Sequence, residues 1–232
     1  MRNHHQTAAL DWRDDGVPVS LQFDDPYFSI SNGFAETQHV FLAGNDLPRR
    51  LQAGFHIAEL GFGTGLNLLA TALICPDDCP IQYTSFEAFP MQVADMARAL
   101  ALFAQTARYA PLLLDAWAAG ARAFTLGPVQ VQVIIGHAAT TLPPWQGRAD
   151  AWFLDGFSPA KNPALWSPQI LAQVARHTAP QGSFATYSAA GHVRRALQSA
   201  GFDVARVAGF GRKRHMCKGV LARAPDLSAS AL

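Results

Sequence analysis

From residue 55 onward, short apolar runs alternate with stretches whose apolar positions recur every three or four residues. FHIAEL (55–60), QYTSFE (82–87), VQVQVIIG (129–136), AWFLD (151–155), SFATYS (183–188) and VLAR (220–223) read as strands. LNLLATALI (66–74), Met91–Gln105 and the segments 163–177 and 190–200 carry helical patterns. Strands that alternate with helices need crossover connections, so the pattern predicts an α/β fold with a mostly parallel sheet covered on both faces. Residues 1–54 differ: Asp, Gly, Pro and Asn punctuate short aromatic segments such as PYFSIS (26–31) and HVFLAG (39–44). The expected division is an extension over 1–54 packed on the sheet domain, a core over 55–223, and a tail over 224–232.

The 232 residues suit one domain able to bury a core without disulfide or metal staples. Half the chain is hydrophobic and 15% is charged, which excludes a disordered or coiled-coil protein. The longest charge-free stretch, Ala123 to Gly147, is broken by Pro128, Pro143 and Pro144 and is no membrane span. The start, MRNHHQTAALDW, has no apolar signal-peptide core, and three cysteines cannot all pair; both point to the cytoplasm. The net charge of +1 hides an asymmetry: residues 161–232 hold 10 basic and 2 acidic side chains, residues 1–160 hold 8 and 15. Such polarity suits a basic face for a polyanion, unless the charges mix in space.

Candidate chemistry begins at the junction of the first strand and first helix, Glu59-Leu60-Gly61-Phe62-Gly63-Thr64-Gly65, with Asn67 just inside the helix. Glycines there permit a tight turn and close approach to a ligand at a helix N-terminus. Glu87, at the end of the next strand, suits hydrogen bonds to two ribose hydroxyls. A dinucleotide or S-adenosylmethionine fits this geometry. The early third glycine and the acid before the turn favour S-adenosylmethionine, with its positively charged methionine end. The third strand ends in Gly136-His137, where an adenine ring is expected; His137 could stack on the base, hydrogen-bond it, or merely end the strand.

A second loop, Asp155-Gly156-Phe157-Ser158-Pro159-Ala160-Lys161-Asn162-Pro163, follows AWFLD. Asp155 can orient an amine acceptor and take its proton, or simply cap the loop, and Phe157 can wall the pocket. Asn162-Pro163 reads as a helix cap and first turn, and Lys161 as a candidate phosphate contact. Arg212, Lys213 and Arg214 lie between glycines and the last strand. With Arg194 and Arg195 they suit nucleic-acid backbone contact, or form a solvated charge run. Tyr27, Phe28 and Phe34 could line an acceptor pocket, although packing is the commoner use of such rings. Cys75 and Cys79 lack the further ligands of a zinc site, so no metal is expected.

These motifs resemble the methyltransferase domain of the MnmC family, which modifies the wobble uridine of bacterial tRNA. The resemblance runs from about Phe23 to Arg223 and rests on FDDPYFS (23–29), ETQHVFLAGN (36–45), ELGFGTGLN (59–67), SFEAFP (85–90), DAWFLDGFSPAKNP (150–163) and GFGRKRHM (209–216). It implies a Rossmann-like, seven-stranded class I methyltransferase that uses S-adenosylmethionine to methylate the amine of 5-aminomethyl(-2-thio)uridine at the wobble position. Glu59, Gly61, Gly63, Gly65 and Glu87 match the family's cofactor motifs and Asp155 its active-site aspartate. Phe62 and Asn67 lie within the same cofactor segment. His137 stands where an acid is expected beside the adenine. The larger family members add a flavin-dependent oxidase domain. With the chain ending at Leu232, no FAD is expected here and the oxidase is expected either as another chain or to be unneeded, with tRNA as partner, no membrane, and a monomeric state favoured. The alternatives are an N-methyltransferase for another amine and a catalytically silent tRNA-binding module.

Overall fold

Among the described residues, eight strands make the central sheet, in the order β10-β11-β9-β8-β4-β5-β7-β6. A computed structural model describes residues 7–29 and 32–222, so the expected tail over 224–232 lies outside the described residues. The parallel centre comprises β4 (His56–Leu60), β5 (Ile81–Glu87), β7 (Val129–Ile135), β8 (Ala149–Leu154) and β9 (Thr178–Thr186). Antiparallel strands close both edges: β6 (Ala123–Leu126) beside β7, and the hairpin of β10 (Phe202–Ala208) and β11 (His215–Leu221) beside β9. The strand count thus corrects the expected seven to eight.

Apolar residues on both faces of the central strands build two cores. On one side α2 (Leu66–Ile74), α3 (Val93–Leu100) and α4 (Ala110–Ala118) pack with Ile57, Tyr83 and Phe153. On the other, α5 (Ala138–Thr141), α6 (Pro168–Arg176) and α7 (Gly191–Ser199) pack with Ala58, Trp152 and Phe184. Helix α6 begins later than Asn162-Pro163 implies. Ser167 caps it by accepting from the Ile170 amide, and Pro168 fills the first turn.

The N-terminal region forms a three-stranded antiparallel sheet, β1 (Leu10–Trp12), β2 (Pro18–Ser20) and β3 (Asp25–Pro26). Next come α1 (Gly33–Thr37), capped by Asn32, and a wider π-helical turn over Gln38–Leu42. Phe34, Val40, Phe41 and Leu42 from this stretch enter the first core, so the region is part of the packed molecule.

Chain order sets the site. From β4 the chain runs outward through β5 to β7, then returns to the other side of β4 as β8. The crevice at this reversal, beyond the carboxyl ends of β4 and β8, is the place where open parallel sheets bind ligands. Among the described residues, no helix is long and apolar enough to cross a membrane.

Candidate active site

The turns after β4 and β8 touch at the reversal. Gly61 has φ +87°, and a Cβ there would sit 3.2 Å from the Gly156 Cα and amide nitrogen; Gly156 has φ +117°. A Cβ on Gly61 would press on the Gly156 backbone and one on Gly156 would come within 2.5 Å of Leu165, so glycine at both positions lets the two turns approach this closely. Above this floor lies a cavity of about 700 Å³. Gly61, Phe62, Gly63, Asn67, Glu87, His137, Asp155 and Phe157 all line it.

At one end Glu87 accepts from the Gly63 amide (2.9 Å) and the Phe89 amide (2.7 Å). Burial raises its pKa, and the backbone donors oppose the rise. Glu87 lines the cavity, where a carboxylate can accept from a vicinal diol. His137 lies on the wall nearby, its ring 5.4 Å from Phe89 and nearly perpendicular to it.

At the other end Asp155 is held by the Gly156 amide on Oδ1 and by Asn67 Nδ2 on Oδ2, both at 2.8 Å. Asn67 also donates to Glu59 Oε1 (2.8 Å) and accepts from Thr37 Oγ1 (2.8 Å). Burial pushes the Asp155 pKa up to about 6, against the two hydrogen bonds. The result is a carboxylate that is ionised at neutral pH yet a better base than an exposed one.

Glu59 does not line the cavity. It is fully buried behind Asn67, takes a second hydrogen bond from Ser85 Oγ (2.7 Å), and has its pKa pushed up to about 8 by burial. The structure thus places Glu59 behind Asn67 and off the cavity wall, where the expected contact with the methionine moiety would have to pass through Asn67. Gly65 also lies off the cavity, facing Leu113 at the head of α2.

Aromatic residues close the cavity from the N-terminal side. Phe23 stacks on Phe157 (4.8 Å between centroids), and Tyr27 meets the same ring edge-on (5.0 Å). Tyr27 and Phe28 line the cavity, whereas Phe34 belongs to the core. Asp25 accepts from the Ser158 amide (2.7 Å), tying β3 to the second loop. Lys161 forms an exposed ion pair with Asp24 (2.5 Å), so it stands engaged with the N-terminal sheet.

Two further residues join the site from outside the glycine and Asp155 motifs. Glu36, on α1, is 8% exposed and lines the cavity, as does Tyr187 beyond β9. The sequence signal for Glu36 is its place at the head of ETQHVFLAGN (36–45), one of the segments that carry the family resemblance. The described lining holds four carboxylates (Asp25, Glu36, Glu87, Asp155) against the cations of Arg212 and Lys213, so the cavity favours a positively charged ligand. Arg212 and Lys213 reach the cavity from the β10–β11 turn, while Arg194 and Arg195 lie on α7 and Arg214 is exposed on the turn.

A sulfonium cofactor with a ribose and a charged methionine end fits these residues: Glu87 for the diol, the glycine floor for close backbone approach, and carboxylates for the cationic end. Residues 104–222 match the Methyltransf_30 family, described as S-adenosyl-L-methionine-dependent methyltransferase. The tRNA 5-methylaminomethyl-2-thiouridine biosynthesis bifunctional protein MnmC of Pseudomonas savastanoi pv. phaseolicola is 42% identical over 233 residues, covering 94% of this chain and 35% of that protein. Its namesake in Pseudomonas aeruginosa is 44% identical over 228 residues, covering 92% of this chain and 35% of that protein. The chain thus spans 35% of the length of these relatives. The crystal structure of MNMC2 from Aquifex aeolicus has the same fold, with a TM-score of 0.74 at 22% identity over 96% of this chain and 73% of that one. Similarity of this degree across nearly the whole chain establishes the relationship: the chain belongs to the MnmC family of S-adenosyl-L-methionine-dependent methyltransferases.

Proposed function

We propose that the protein methylates the primary amine of 5-aminomethyl(-2-thio)uridine at the tRNA wobble position, giving the 5-methylaminomethyl nucleoside. The name borne by the relatives, that of a 5-methylaminomethyl-2-thiouridine biosynthesis protein, supports the nucleoside. The observation that carries the reading is Asp155, set on the cavity wall by two hydrogen bonds, with its pKa raised to about 6. When bound, S-adenosylmethionine supplies a methyl group activated by its sulfonium. Glu87 and the glycine floor hold that cofactor. Asp155 accepts a hydrogen bond from the acceptor amine, aims its lone pair, and takes the proton the amine must lose. Phe157, Phe23 and Tyr27 exclude water and wall the uracil. Arg194, Arg195, Arg212 and Arg214 offer charges for tRNA phosphates. An FAD-dependent oxidase acting earlier on the same nucleoside is the partner this reading implies.

The test incubates the protein with S-adenosylmethionine and tRNA from cells lacking this methylation, followed by nucleoside mass spectrometry. Loss of the aminomethyl nucleoside with matching gain of its methylated form is expected; an unchanged profile from protein that binds the cofactor overturns the reading. Asp155→Asn should lower kcat by about 10²-fold or more while cofactor affinity stays within a few-fold.

A further inference from the structure

The turn between β10 and β11 sends one of its cations inward. Lys213 Nζ donates to Glu36 Oε1 at 2.7 Å and lies 4.2 Å from the centre of the Tyr187 ring. The Glu36 side chain is only 11% exposed, while that of Lys213 is 45% exposed. The same ammonium lies close enough to Asp155 to favour its ionised form, and Glu36 close enough to oppose it. The Tyr187 hydroxyl donates to the Gly156 carbonyl (2.8 Å), which fixes the ring against the second loop. One carboxylate, an aromatic face and a second carboxylate nearby make a cage for a primary alkylammonium. Lysine ends in that group, and so does the acceptor proposed above.

We propose that Glu36, the Tyr187 ring and Asp155 form the subsite for the acceptor's ammonium group, and that Lys213 fills this subsite until tRNA displaces it. The inference rests on the amine-acceptor reading and adds a binding residue and a displacement step to it. Removing Lys213 from the cage leaves Glu36 buried without a countercharge, a costly state that an incoming alkylammonium relieves. Lys213 sits between Arg212 and Arg214 on an exposed turn, so its flexible stem can carry the charge to a phosphate at the rim. A tRNA supplies both the replacement cation and the phosphate. A free nucleoside supplies only the first, and a uridine without the amine supplies no countercharge for Glu36, so the cage selects against both. Once the ammonium is seated, Asp155 accepts its proton; Glu36 binds and takes no part in the transfer.

Lys213→Ala empties the cage, and n-propylammonium can then be titrated into the protein at constant ionic strength, with n-propanol as the neutral control. Thermal shift and calorimetry should show saturable n-propylammonium binding to Lys213→Ala, none to the parent, and binding weaker by about tenfold or more when Glu36→Gln is added. Lys213→Met provides a second plug-free variant if the alanine protein is not folded by circular dichroism. Methylation of free 5-aminomethyluridine should be several-fold faster with the plug-free variant than with the parent, whereas methylation of tRNA should not be faster. Equal n-propylammonium binding by parent and variant, binding indifferent to Glu36→Gln, or no binding by a folded variant overturns the cage. The titration needs no methyl transfer, so a parent that fails to methylate tRNA defeats the functional reading and leaves the cage tested separately.

Discussion

A side-chain amide has two N–H donors and one carbonyl, and Asn67 commits all of them: the donors to Glu59 and Asp155, the carbonyl to Thr37. Rotating the amide by half a turn would set its oxygen against the Asp155 carboxylate and its N–H donors away from it, which favours the observed orientation. Asn67→Ala should therefore lower kcat by about tenfold to a hundredfold, with a smaller effect on cofactor affinity. The pH profile separates this from general damage. Activity in the parent should fall as pH drops through about 6, where Asp155, flanked by Glu36, Glu59, Tyr187 and Lys213, takes up a proton. Loss of the Asn67 donor removes an influence that lowers this pKa, so the inflection should move to higher pH by roughly one unit. An unmoved inflection would show that Asn67 does not tune Asp155. Sequence spacing marks Asp155 and Glu87 directly, because strand ends in a parallel sheet face the crevice. It cannot tell that Glu59 stands one layer behind: a single side chain, Asn67, intervenes, and only packing reveals it.

Among the elements, the N-terminal sheet serves as the roof over the second loop. Phe23 stacks on Phe157, and Asp25 on β3 receives the Ser158 amide. Phe23→Ala should raise KM for tRNA by about three- to tenfold, the worth of one aromatic contact, with cofactor affinity in calorimetry nearly unchanged. A fall in cofactor affinity as large as the rise in KM would instead place Phe23 over the cofactor. The central strands are legible in the sequence because burial on both faces demands continuous apolar runs such as FHIAEL and AWFLD. Edge strands lack that constraint. AFTL in β6 and FDVARVA in β10 are largely exposed or half-buried, so no apolar run announces them. Helix α4 escapes a pattern reading for another reason: Pro111 looks like a breaker, yet it sits in the first turn, where proline is tolerated. The same ambiguity places the start of α6 too early, since both Asn162-Pro163 and Ser167-Pro168 have the form of a cap.

At the scale of the molecule, an anionic cavity lies beside a cationic turn, and both are built into one end of the sheet. The near-neutral total conceals an anionic cavity lining and a basic turn, which under the proposed function would serve a cationic cofactor and amine on one side and a polyanion on the other. Replacing Arg212 and Arg214 together by alanine should weaken tRNA binding and reduce the slope of log affinity against log salt by about one per lost phosphate contact, measured by filter binding over a series of KCl concentrations. A parallel loss of affinity at every salt concentration would mean that neither arginine touches phosphate. The contact between Gly61 and Gly156 bears on how such an enzyme can diversify. With bare backbone on both sides, and a Cβ on Gly61 bound to meet Gly156 at 3.2 Å, the floor has no side chain to exchange and no room to accept one. New acceptor preferences must then arise in the ceiling, from Phe23, Tyr27 and the segment around Glu36, where side chains from a different part of the chain can be varied while the methyl donor's seat stays as it is.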